Sequence, residues 1–123
     1  MAQHSSTVVW KRDDGTAFTD NRYSRRHTWC FDGGTLVPAS ASPHVVPLPY
    51  SDPAGVDPEE AFVASLSSCH MLWFLDIAAR AGWVVDSYCD EATGTLARNA
   101  QGQQAMTRVV LRPAVKFAPG QSP

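Results

Sequence analysis

The chain has 123 residues, 44% of them hydrophobic, and a formal charge of -2, which suits one compact domain over residues 1–123 and is too little for two. Its basic residues are scattered apart from the pairs Lys11-Arg12 and Arg25-Arg26, so no electrostatic footprint for nucleic acid or a membrane surface is present. No apolar leader is apparent and no uninterrupted apolar run approaches the roughly 18 residues of a membrane span, which makes the cytoplasm the expected compartment.

Val8 to Lys11 has strand character, and Asp13-Asp14-Gly15 is a turn signal, so a short hairpin start is expected. Tyr23 to Phe31 alternates two faces, with Tyr23, Arg25, His27, Trp29 and Phe31 on one and Ser24, Arg26, Thr28 and Cys30 on the other. Only one of the two arginines therefore shares whichever face is buried. Residues 35–56 carry five prolines (Pro38, Pro43, Pro47, Pro49 and Pro53), each of which removes a ladder donor and discourages helix before it. This segment reads as an ordered loop or an extended stretch, and loops of that length in a small domain tend to be functional.

Residues 57–81 give the strongest signal. Asp57 suits the N-cap, Pro58 the first helical position and Glu60 the third, a D-x-x-E variant of the capping box. Arg80 complements the C-terminal end of the helix dipole, and Gly82 suits the left-handed stop. Phe62, Leu66, Cys69, Trp73 and Ile77 form a stripe at i, i+3, i+4 spacing, and Val63, Met71, Leu72, Phe74 and Leu75 make most of the remaining circumference apolar. A helix of this kind is central, and in so short a chain it is expected to pack on a second copy as well as on its own sheet. Strands are then expected over 83–88, 92–97 and 106–117, the last broken by Pro113, with a hairpin turn at Asn99 to Gly102.

Cys30, Cys69 and Cys89, an odd number at wide spacings, form neither a disulfide framework nor a zinc knuckle. Cys69 is open to two readings. A thiol on an apolar stripe can be an inert core residue; a cation brought to it would make it reactive, and Arg25 and Arg26 are the candidates. Glu59 lies ten residues before Cys69, about 15 Å along a helix, so it can share a site only by holding a group that reaches from elsewhere. A guanidinium fits, because its fork engages a carboxylate on one side and offers donors on the other. His70 is on a different face from Cys69. Cys69-His70 with His27 and His44 lacks metal-ligand spacing, and no G-x-S-x-G elbow is present, so neither a metal, a cofactor nor a serine nucleophile is expected.

The run Asp57-Pro58-Glu59-Glu60-Ala61-Phe62-Val63-Ala64-Ser65-Leu66-Ser67-Ser68-Cys69-His70, with the helix ending in A-A-R-A-G and a strand V-D-S-Y after it, resembles the signature of the OsmC/Ohr family of thiol peroxidases. Tyr23 to Gly34 resembles the preceding strand of one OsmC-like subgroup. The resemblance implies an α+β fold, with the long central helix packed on curved antiparallel sheet in an intertwined homodimer. It implies that organic hydroperoxides are reduced to alcohols, with Cys69 as the attacking thiolate, Glu59 as the carboxylate that holds an arginine, and Arg25, or alternatively Arg26, as that arginine. Phe62, Leu66 and Trp73 would form the apolar wall for the substrate. Recycling would use a dithiol or a lipoylated protein. In the family a second cysteine on a C-terminal helix completes the cycle; this sequence stops short of that helix, so either it is a fragment, or the natural protein is shortened and uses an external thiol, or Cys30 or Cys89 substitutes. The alternative function is a non-catalytic OsmC-like dimer that binds a small apolar ligand or senses oxidant through Cys69.

Overall fold

The computed structural model describes residues 1–121 and contains one long helix and seven strands. Met1–Pro58 forms one compact unit and the chain from Glu59 onward forms another.

In the first unit, strands β1 (Ser6–Val9), β2 (His27–Phe31) and β3 (Leu36–Ala39) make an antiparallel sheet in the order β1-β2-β3. Trp29 pairs with Val8 on one side and with Val37 on the other. The regular strand begins only at His27, later than the alternation from Tyr23 suggests, because residues before it bond elsewhere: the Arg25 N–H donates to the Tyr50 carbonyl at 2.8 Å. Trp10, Phe18 and Tyr23 cluster instead, with the Phe18 and Tyr23 rings stacked 4.5 Å apart.

The proline-rich stretch is ordered by buried serines. Ser40 is fully buried, and its hydroxyl oxygen accepts from the Asp52 N–H at 2.9 Å. Ser51, also buried, donates to the Val46 carbonyl at 2.7 Å. Ala39 and Val56 form a parallel bridge, and a Cβ on Gly55 would meet the Ala39 carbonyl carbon at 3.0 Å, so the two ends of the loop close on each other. Short polar side chains thus supply the partners that the prolines cannot.

In the second unit, helix α1 (Pro58–Arg80) starts as expected at the proline, with Glu59 and Glu60 in its first turn. It ends in a Schellman motif: the Trp83 N–H donates to the Ala78 carbonyl at 2.9 Å and the Gly82 N–H to the Ala79 carbonyl at 3.1 Å. Gly82 has φ +85, a conformation open to glycine at little cost. Strands β4 (Val85–Asp90) and β7 (Pro113–Phe117) form one antiparallel pair, and β5 (Thr93–Arg98) and β6 (Gln104–Val110) another. The stretch expected as one strand over 106–117 is therefore two, and Pro113 opens β7, where a missing donor is tolerated. At the β5–β6 turn the Asn99 side-chain oxygen accepts from the N–H groups of Gln101 and Gln103, each at 3.0 Å, and Gly102 has φ +76.

The face of α1 turned to the sheets runs through Val63, Ser67, His70, Phe74 and Ala78. Val63 meets Gly94 of β5, Ser67 bonds to Asp90 of β4, His70 to Tyr88 of β4, the Phe74 ring lies 5.7 Å from the Tyr88 ring, and Ala78 is buried. The more regular apolar stripe, Phe62 to Ile77, lies one residue earlier and is rotated by about 100°. Phe62, Leu66, Trp73 and Ile77 on that stripe, and Leu72 beside it, are 40–63% exposed. An 18-residue window of α1 averages a hydropathy of 1.4, so by length and composition the helix could also cross a membrane, although its serines and histidine interrupt every long apolar run.

Candidate functional site

Cys69 projects from the middle of α1 and is exposed. It lines an open groove of about 600 Å³ with Ser65, Ser68, Leu72, Trp73, Asp76 and Arg80. All seven residues belong to α1 and recur at intervals of three and four, so the groove follows one helical face. Of the expected substrate wall, Trp73 lines this groove; Phe62 and Leu66 are exposed on the same stripe, one to two turns before Cys69, and do not line it. Asp76 and Arg80 pair at i, i+4 with 2.5 Å between Oδ2 and a guanidinium nitrogen. Sequence spacing alone places these two on one face, and the same count links them to the face of the cysteine.

Glu59 occupies the first turn of α1, where the helix dipole favours a carboxylate. Its Oε2 is buried and has no hydrogen-bond partner. A buried carboxylate oxygen without a donor is costly, and a guanidinium is the side chain that suits it best.

Both candidate arginines lie in the first unit. Arg25 donates to the Asn21 carbonyl and to the Asn21 side-chain oxygen, each at 3.0 Å, and to the Tyr23 carbonyl, while its guanidinium carbon lies 3.6 Å from the centre of the Tyr23 ring. These partners are neutral and leave the positive charge uncompensated by themselves. Arg26 instead donates through Nε to the Asp52 carboxylate at 3.0 Å. The Asp52 carboxyl is held below its ordinary value, first by the Ala54 N–H and then by Arg26. His27, on the same segment, is fully engaged: Trp29 Nε1–H donates to its Nε2, so Nδ1 carries the proton and donates to the Arg25 carbonyl at 2.7 Å.

On the far side of α1 from the groove is a polar cluster that sequence reasoning missed. Ser67 donates to Asp90 Oδ2 at 2.6 Å, and the Arg112 N–H donates to Asp90 Oδ1. The Asp90 carboxyl is held below its ordinary value, first by the Ser67 hydroxyl, with burial opposing and the Arg112 N–H and the His70 and Arg112 charges assisting. Burial, and secondarily the Asp90 charge, push the Tyr88 phenol up. Nothing in the sequence sets Ser67 and His70 apart from the other polar residues of the helix, such as Ser65, Ser68 and Asp76; their partners lie about twenty residues away. Among the described residues no group of three or more His, Cys, Asp or Glu is placed to hold a metal.

The family model for OsmC-like proteins matches residues 51–123. The solved structure of an OsmC-like protein of unknown function from Vibrio cholerae O1 biovar eltor is similar to this chain with a TM-score of 0.97 and 60% identity, covering 100% of this chain and 80% of that one. A search of curated proteins gives no match.

Proposed function

Because the chain belongs to the OsmC-like family, which includes thiol peroxidases, we propose that it reduces organic hydroperoxides through Cys69. The observation that carries this reading is the buried, unpartnered Oε2 of Glu59, in the first turn of the helix that presents the exposed Cys69 thiol. That carboxylate calls for a guanidinium, and the same cation would favour both the attacking thiolate and the departing alkoxide. Arg25 is the first choice, since its present partners leave its charge in place, whereas Arg26 is matched to Asp52.

In the reaction, the Cys69 thiolate attacks the distal oxygen of the hydroperoxide and the O–O bond breaks. The alkoxide takes a proton to leave as alcohol, and Cys69 becomes a sulfenic acid. A cytoplasmic dithiol or lipoylated protein then supplies two electrons and two protons, returning the thiol and releasing water. The apolar character of Leu72 and Trp73 beside the thiol favours a fatty or aromatic hydroperoxide over hydrogen peroxide.

The functional unit is a homodimer. Large apolar side chains exposed along α1 exceed what a lone soluble chain tolerates on one face. A second copy suits them better than lipid, because Ser65, Ser68, Asp76 and Arg80 share the groove face and would be stranded in hydrocarbon.

The test counts cumene hydroperoxide consumed per protein with excess dihydrolipoamide, with mass spectrometry of Cys69 at the end. Many equivalents, lost in Cys69→Ser, are expected. Consumption of about one equivalent, with Cys69 left oxidised, would replace this reading with that of an oxidant sensor or small-ligand binder.

A further inference from the structure

We propose that Ser67 and His70 are positioning residues that, through Asp90 and Tyr88 of β4, fix the direction in which α1 presents the Cys69 thiol. The two residues bracket Cys69 within one helical turn. Ser67 donates to Asp90 Oδ2 at 2.6 Å, and His70 Nδ1 lies 3.0 Å from the Tyr88 hydroxyl. Asp90 and Tyr88 are two apart on β4 and so share one face of it. Their pairing with residues three apart on the helix sets both the rotation and the axial position of that turn.

The anchor on the strand side is itself held. Asp90 Oδ1 accepts from the Arg112 N–H, and the Arg112 guanidinium donates to the Glu91 carbonyl at 3.1 Å and to the Thr93 hydroxyl at 2.9 Å. Asp90 thus joins α1 to the end of β4 and to the corner between β6 and β7. Cys69 is about 200° around the helix from Ser67 and about 100° from His70, so a rotation that broke these bonds would swing the thiol by the same angle.

Directional bonds are needed here because apolar packing does not choose a rotation. The helix is apolar nearly all round, and turning it by one residue would exchange the face Val63, Phe74, Ala78 for the equally apolar face Phe62, Trp73, Ile77. Two hydrogen bonds, one to a carboxylate, specify one of these arrangements. This inference rests on Cys69 being the reactive thiol and adds what aims it.

The experiment uses the full chain with Cys30→Ser and Cys89→Ser, so that Cys69 is the remaining thiol. Ser67→Ala combined with Tyr88→Phe removes both bonds, and Ser67→Thr retains the hydroxyl. Three quantities are measured: hydrogen exchange of the amides of residues 69–74, the rate of Cys69 with cumene hydroperoxide, and its rate with iodoacetamide, which makes little demand on orientation. The double variant is expected to exchange at least tenfold faster and to lose tenfold or more in the hydroperoxide rate, with the iodoacetamide rate changed less than twofold. Ser67→Thr is expected to behave as the parent. Unchanged exchange would overturn the clamp, and an equal fall in both Cys69 rates would overturn its role in aiming the thiol. A parent protein inert to hydroperoxide would sink the proposed activity, while the exchange measurement would still decide the clamp.

Discussion

Gly94→Ala is expected to loosen the seat of α1 on its sheet. A Cβ at Gly94 would lie 2.5 Å from Val63 Cγ2 and 2.5 Å from Met106 Cε, at least 1 Å inside ordinary carbon contact. Met106 can swing its terminal methyl away at small cost, since three rotatable bonds precede it. Val63 cannot, because a β-branched side chain in a helix has one strongly preferred rotamer. Relief must then come from a shift of α1 or of β5, and overpacking of this kind costs about 1–3 kcal/mol. Urea unfolding of Gly94→Ala, of Val63→Ala and of the double variant, at one protein concentration, gives the coupling. The double variant should be more stable than the sum of the single losses requires by about 0.5 kcal/mol or more. A loss below about 0.5 kcal/mol for Gly94→Ala, or strictly additive losses, would refute the contact.

Glu59→Gln keeps the shape of the side chain and removes its charge; the hydroperoxide rate should fall at least tenfold with the fold retained, and an unchanged rate would remove Glu59 from the mechanism. The Asp90 carboxyl is held below its ordinary value of 3.8, chiefly by Ser67, so its bonds contribute stability that is present above about pH 4 and lost as pH falls through the lowered value. The stability difference between the parent and Ser67→Ala, read from urea unfolding across pH 7 to pH 2, should therefore shrink toward acid, and a constant difference would contradict the assignment. Leu72→Asp places a charge among the exposed apolar side chains of α1 and should yield monomers by light scattering; a dimer that survives it would locate the interface elsewhere.

Local chemistry makes the helix legible in the amino-acid sequence. Asp57-Pro58 and Glu60 mark its start and Gly82 its end, and the Asn99 to Gly102 turn is equally local, because caps and turns depend on residues within a few positions of each other. The P-E-E run and Cys69 are legible in the same way, as a pattern along one helix. Strand division is less so: Pro113 breaks the alternation, yet only pairing with β4 and β5 shows that two strands meet there.

The orientation of the helix is a matter for tertiary structure alone. Hydrophobic periodicity picks out Phe62, Leu66, Cys69, Trp73 and Ile77 as the most regular stripe without assigning it to the sheet or to a second copy, and the sheets meet Val63, Ser67, His70, Phe74 and Ala78. Periodicity selects a face only when the other face is polar, and α1 is apolar nearly all round. The choice falls to partners distant in sequence, Tyr88, Asp90 and Gly94, whose hydroxyl, carboxylate and missing side chain accept His70, Ser67 and Val63 and leave Cys69 facing outward.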